Sequence, residues 1–201
     1  MHLLDTIPSP SPALPLPATQ RLARLDTIGA PGRLARGFGA STAFLSLSPG
    51  LACVFADPDG AALTHQALGA AGMSAHQLWN AAAAELAARA HTERGVEFLV
   101  RSPAVTWAAA CGGAELPRGF EVAGHGVAAA HWLAHPQTFT LLHRHFEAVL
   151  RPEAMLAYAT DDGERLFVFD AAPHAVAAAL PRADVVTYSV GFPLLYHPGR
   201  S

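Results

Sequence analysis

The sequence predicts an α+β fold: one domain with a mixed or antiparallel sheet and two main packing helices, at about 74–93 and 136–150. Three observations carry this expectation. Short apolar runs end at Pro-Gly or Asp-Gly steps, two long segments repeat their apolar residues at helical spacing, and the two kinds of element alternate without the strict βαβ rhythm of a parallel sheet.

Residues 1–20 alternate proline with serine, leucine and alanine, a composition that favours extended chain and packs no core, so they read as a disordered Pro-rich segment. The arginine-bearing stretch that follows, with Arg21, Arg24, Arg33 and Arg36, reads as a solvated lead-in. Residues 37–190 form the domain. It opens with a strand at 42–47, a turn at Ser48-Pro49-Gly50 and a strand at 51–56, which stops at Asp57-Pro58-Asp59-Gly60 because proline presets φ and glycine accepts φ > 0. Ser74 then supplies a helix N-cap, Gln77 completes a capping box, and Met73 can staple against Leu78. Leu78, Trp79, Ala82, Leu86 and Ala90 recur at helical spacing behind that cap, Glu85 and Arg89 pair along it, and Gly95 closes the run.

Residues 96–101 and 104–110 read as two strands separated by Ser102-Pro103. A short helix at 127–134 precedes the second long helix, which starts at Pro136, buries Phe139, Leu142, Phe146 and Val149, and ends before Arg151-Pro152. Residues 155–160 and 165–170 make a hairpin around Asp161-Asp162-Gly163. A helix at 173–180 and a strand at 184–190 complete the domain, and 191–201 read as an irregular C-terminal tail.

Composition limits the chemistry. All 13 basic residues are arginines, and the absence of lysine removes Schiff-base enzymes, pyridoxal-phosphate enzymes, Walker-type phosphate loops, protein kinases and Ser-Lys hydrolases. With 43 alanines, one asparagine and two isoleucines, this absence is a trace of coding composition. A net charge of −3 argues against a nucleic-acid partner. No apolar run reaches membrane-spanning length and no secretory leader is expected, so the sequence implies a cytoplasmic protein without a membrane partner. Cys53 and Cys111 stand in apolar runs and are expected to be inert buried thiols.

Two stretches carry a resemblance. The first is the apolar strand Leu51 to Ala56 with Asp57-Pro58-Asp59-Gly60, Gly72-Met73-Ser74, and the alanine-rich helix with Leu78 and Leu86; the second is the helix with Phe139, Leu142 and Phe146 leading into Met155-Leu156-Ala157-Tyr158 and Arg165-Leu166-Phe167-Val168-Phe169. Their order resembles an uncharacterised bacterial family, domain-of-unknown-function family 1444. The resemblance implies an α+β domain and transfers no activity.

The candidate chemistry is histidine chemistry. His131 and His135 stand four apart, as do His143 and Glu147, a spacing that lets one helix face offer ligands to zinc or a similar divalent ion. Trp132 occupies the place where a zinc hydrolase of this spacing needs glutamate, and Pro136 disfavours helical geometry at His135. Tyr188-Ser189-Val190-Gly191 lacks the first glycine of a nucleophile elbow, and Gly37-Phe38-Gly39 precedes a strand where a dinucleotide fingerprint must follow one. The acidic turns at Asp57 and Asp161 lack the ligand pattern of a calcium loop. The expectation is therefore a non-catalytic domain that binds a protein partner or a small ligand without a cofactor. The alternative is a metal-binding protein or metal-dependent hydrolase that uses His131, His135, His143 and Glu147.

Overall fold

The computed structural model describes residues 17–25, 41–107, 116–124 and 127–198. The first strand, β1 (Thr19–Arg24), buries Gln20 and Leu22 with the period-two pattern of a pleated chain. β2 (Phe44–Ser48) and β3 (Leu51–Ala56) follow, joined at Gly50, whose φ of 85° meets the need of the turn for a left-handed residue. β3 is buried along its whole length and pairs antiparallel with β1 on one side and β2 on the other.

Helix α1 (His65–Ala70) is capped by Thr64, and α2 (Ala75–Ala90) by Ser74, whose hydroxyl accepts from the Gln77 N–H while Gln77 reaches back to the Ser74 N–H. The chain then makes a two-stranded hairpin, β4 (His91–Thr92) with β5 (Gly95–Val96), where the sequence suggests the end of the helix. β6 (Phe98–Arg101) comes next. The strand expected at 104–110 is instead helical at its start, in α3 (Ala104–Trp107). Pro103 sets a helical φ, and the Ser102 and Pro103 carbonyls accept the first N–H groups of the turn, which swings Trp107 against Phe167. Residues 108–110 lie outside the described residues.

β7 (Gly119–Gly124) leads to a 3-10 helix (Ala129–Ala134) in which all six residues are buried. α4 (Pro136–Leu150) starts at the expected proline and stops at Arg151, which takes a left-handed φ of 46°. Val149, expected in its buried stripe, is exposed, and Leu150 is buried instead. β8 (Leu156–Thr160) and β9 (Leu166–Asp170) form the expected hairpin. α5 (Pro173–Ala179), β10 (Asp184–Ser189) and β11 (Phe192–Leu195) finish the described chain. β11 falls in the expected irregular tail and β1 in the expected disordered segment and lead-in, so ordered elements extend beyond 37–190 at both ends.

Among the described residues every strand pairing is antiparallel. β1-β3-β2 form one sheet, six strands in the order β11-β10-β8-β9-β7-β6 form a larger one, and the β4–β5 hairpin stands apart from both. Alternation along β8 and β9 sends Leu156, Tyr158, Leu166 and Val168 to one face of the larger sheet. There they meet α4, the 3-10 helix, α2 and the smaller sheet, around Trp132, Phe139 and Phe146. Ala157, Ala159, Phe167 and Phe169 point the other way, onto α5 and Trp107. β11 also lies against β2, where the Ser48 hydroxyl donates to the Pro193 carbonyl at 2.5 Å. The centre of the larger sheet, β8 and β9, is thus covered on both faces.

Candidate functional site

The four residues singled out for a metal are placed by three different structural tasks. His131 sits on the 3-10 helix, nearly buried, with Nε2 3.3 Å from Glu164 Oε2, and Arg21 reaches the same carboxylate at 2.6 Å. Glu164 is held below the usual carboxylate range, first by the His131 imidazole and then by the charge of Arg21, against the opposing effect of burial. Gln20 on β1 donates to the His131 carbonyl at 3.1 Å, so this group fastens β1 to the 3-10 helix.

His135 caps α4. Its Nδ1 accepts from the Gln137 N–H at 3.2 Å, which leaves Nε2 as the protonated nitrogen, 3.2 Å from Asn80 Oδ1 on α2. Trp79 packs on the ring with centroids 4.4 Å apart and donates its own N–H to the Ala134 carbonyl at 2.7 Å. Burial pushes the imidazole down to about 4, so the cap is neutral at ordinary pH.

His143, about two turns further along α4, bonds the Tyr158 hydroxyl through Nδ1 at 2.7 Å and stacks flat on Tyr188 at 3.9 Å; its Nε2 lies 3.4 Å from Glu147. Burial pushes His143 down, partly countered by Glu147, and pushes the Tyr158 hydroxyl up. Of the four candidates, the structure brings together His143 and Glu147. Among the described residues no group of three or more His, Cys, Asp or Glu is arranged to hold a metal ion. Cys53 is buried with its thiol pushed up, as expected of an inert core cysteine; Cys111 lies outside the described residues.

A different place gathers polar groups around open space. The end of β1, the β8–β9 turn and the segment entering β10 enclose a cleft of about 580 Å³ lined by Arg24, Thr160, Asp161, Asp162, Arg182 and Asp184, with Leu22 and Leu51 among its apolar residues. Asp162 is consumed by the turn: Oδ1 accepts the N–H groups of Glu164 and Arg165 at 2.8 Å each, and Oδ2 accepts Arg165 Nε at 2.9 Å. Burial raises Asp162, yet these bonds more than offset it and hold the carboxyl low.

Asp161 differs. Its Oδ2 accepts from Arg165 at 2.7 Å, while Oδ1 is buried and has no hydrogen-bond partner. Burial first and the neighbouring Asp162 second push this carboxyl up, with Arg165 countering only in part. Arg24 and Asp184 meet across the cleft at 3.4 Å, and Arg182 is exposed. A second hollow of about 460 Å³ shares Arg24, Pro181, Ala183 and Asp184 with the first and adds alanines, Leu180, Leu195 and Tyr196. One hollow is mainly charged, and its neighbour is largely apolar.

In the sequence, Asp161 and Asp162 read as turn-formers only. Arg24, Arg182 and Asp184 carry no spacing signal, because β1, paired with β3, and the segment entering β10, paired with β8, bring them to the turn from places far apart in the chain. Comparison of the chain with protein-family models, with curated proteins and with solved structures finds no match. The geometry of the chain itself is therefore what bears on function. No helix among the described residues is long and apolar enough to cross a membrane.

Proposed function

We propose that this protein is a non-catalytic binding protein for a small ligand that carries an amine and a short apolar body. The cleft carries this reading, through one observation: two adjacent carboxylates, Asp161 and Asp162, line a space large enough for a metabolite. An ammonium group there offsets the repulsion between Asp161 and Asp162. The adjoining apolar hollow accommodates the body of the molecule, and Arg182 stands ready for an acidic substituent.

Isothermal calorimetry with a panel of primary amines and amino acids of graded chain length tests this. The expected result is binding that strengthens with chain length and falls at least about tenfold in Asp161→Asn. Affinity should also drop as pH falls through the raised Asp161 ionisation, because the protonated acid offers no charge. A panel without a binder, or a binder indifferent to Asp161→Asn, would defeat the proposal. The second reading, a metal site, rests on the His143–Glu147 contact. Elemental analysis of untagged protein tests it, with stoichiometric zinc that Glu147→Gln abolishes as its signature.

A further inference from the structure

β6 is the last strand of the six-stranded sheet, and no described strand lies beyond it. An edge of this kind offers unpaired backbone N–H and C=O groups, and sequences usually guard it with proline, lysine or an inward charge. Here the edge carries Leu99 and Val100, 62% and 45% exposed, with neither proline nor lysine from 97 to 101. The five residues Glu97-Phe98-Leu99-Val100-Arg101 have a further property: read antiparallel against themselves about Leu99, they match at every position. Glu97 falls opposite Arg101, Phe98 opposite Val100, and Leu99 opposite Leu99.

We propose that β6 docks a second copy of this chain, antiparallel about a two-fold axis at Leu99, so that the larger sheets of two molecules join edge to edge. Charge complementarity selects this occupant over an unrelated strand. Glu97 is exposed and makes no hydrogen bond or ion pair with the described residues, whereas Arg101 is anchored on the neighbouring strand by Glu121 at 2.5 Å, which also accepts from Thr106 at 2.5 Å. Arg101 stands opposite Glu121 in the β6–β7 register, on the face shared with Leu99 and Ala123. Docking a second copy extends that row to Glu121, Arg101 and the partner's Glu97, with charges alternating across three strands. Burial raises Glu121, and the Arg101 and Thr106 bonds outweigh it, which keeps this acceptor charged. On the opposite face the two Phe98–Val100 pairs join an aromatic to a β-branched side chain, a favoured cross-strand combination. Phe98 is already fixed there by Trp132, His145 and Phe146 at centroid distances of 5.0, 5.1 and 5.8 Å.

A short edge buries little area, so the dimer is expected to be concentration-dependent. Sedimentation equilibrium of the full chain from about 10 µM to about 1 mM should show monomers passing to dimers. Leu99→Lys, which sets like charges on the axis, and Glu97→Arg, which sets arginine against arginine at both ends, should each weaken association at least about tenfold. Both positions are exposed, so the thermal melt of dilute protein should not move. Leu99→Cys should give a covalent dimer under mild oxidation, since residues facing each other across an antiparallel pair stand about 4.5–5.5 Å apart, within reach of a disulfide. Val105→Cys, exposed but off the edge, should behave like the unmodified chain. A chain that stays monomeric throughout, or a dimer that Leu99→Lys leaves intact, overturns the proposal; the first outcome would leave the edge to an extended segment of another protein.

Discussion

At the scale of single residues, His135 and Val190 show how local chemistry sets stability. His135 is protonated with an ordinary value near 6.5 when unfolded and at about 4 when folded, so the folded state resists the proton. Its contribution is therefore complete above pH 6.5 and is lost as pH falls from there toward 4. A shift of this size corresponds to a loss on the order of 3 kcal/mol, with smaller losses of the same sign from His143 and His145. Denaturant titrations across that window should show the decline, and His135→Asn, which keeps a capping oxygen, should flatten it. Val190 has a φ of 48° and is 86% exposed, so it sustains left-handed strain without burying anything in return. With Gly191 at 89° it forms a two-residue hairpin turn between Ser189 and Phe192, the geometry that Asn-Gly prefers. Val190→Asn is expected to raise stability by about 1 kcal/mol, readable as a higher midpoint in urea. Gly191→Ala should do the reverse by about 2 kcal/mol, because an added Cβ would stand 2.8 Å from Pro136.

At the scale of elements, caps and core stripes decide where helices run. Ser74→Ala removes the acceptor for the Gln77 N–H and should cost about 1 kcal/mol, while Phe139→Ala, at a fully buried position of α4, should cost about 3–5 kcal/mol. Thermal melts of the two variants give the comparison. Both helices were legible in the sequence because a capping box and a Pro at the first helical position are local signals, as were β3 and the β8–β9 hairpin with its Asp-Gly turn. The misses share one cause. β1 begins inside a proline-rich stretch and is recruited by β3, β11 follows a Val-Gly turn that carries no hairpin signature, and α3 reads as a strand until Trp107 finds Phe167. Tertiary partners settled these segments, and propensity did not. The site divides the same way: the spacing of His131, His135, His143 and Glu147 was visible, while the cleft depends on long-range pairing that no window of sequence contains.

At the scale of the molecule, the larger sheet works as a partition between two cores. The larger core ties the six-stranded sheet to the three-stranded one through α4 and the 3-10 helix, and the smaller lies under α5. β11 joins the two sheets at one end, so cutting the chain before Phe192 is expected to release the Ser48–Pro193 bond and lower the melting temperature without unfolding β8 and β9. The cleft at the Asp161–Asp162 turn is the site proposed for an amine ligand. Binding there should raise the melting temperature in proportion to the logarithm of ligand concentration, as mass action requires.

The two-faced burial of β8 and β9 has a consequence for biosynthesis. Their alternating residues leave no polar side to meet water, and α5 and β10, which cover Phe167, Phe169 and the free edge of β8, are made after them. A nascent chain that has just passed Asp170 therefore displays two adjacent apolar strands with one edge open, the arrangement from which intermolecular β-association grows. The vulnerable interval in the life of this protein is the synthesis of the next twenty or so residues, and delay there, by slow translation or truncation, would favour inclusion bodies over folded protein.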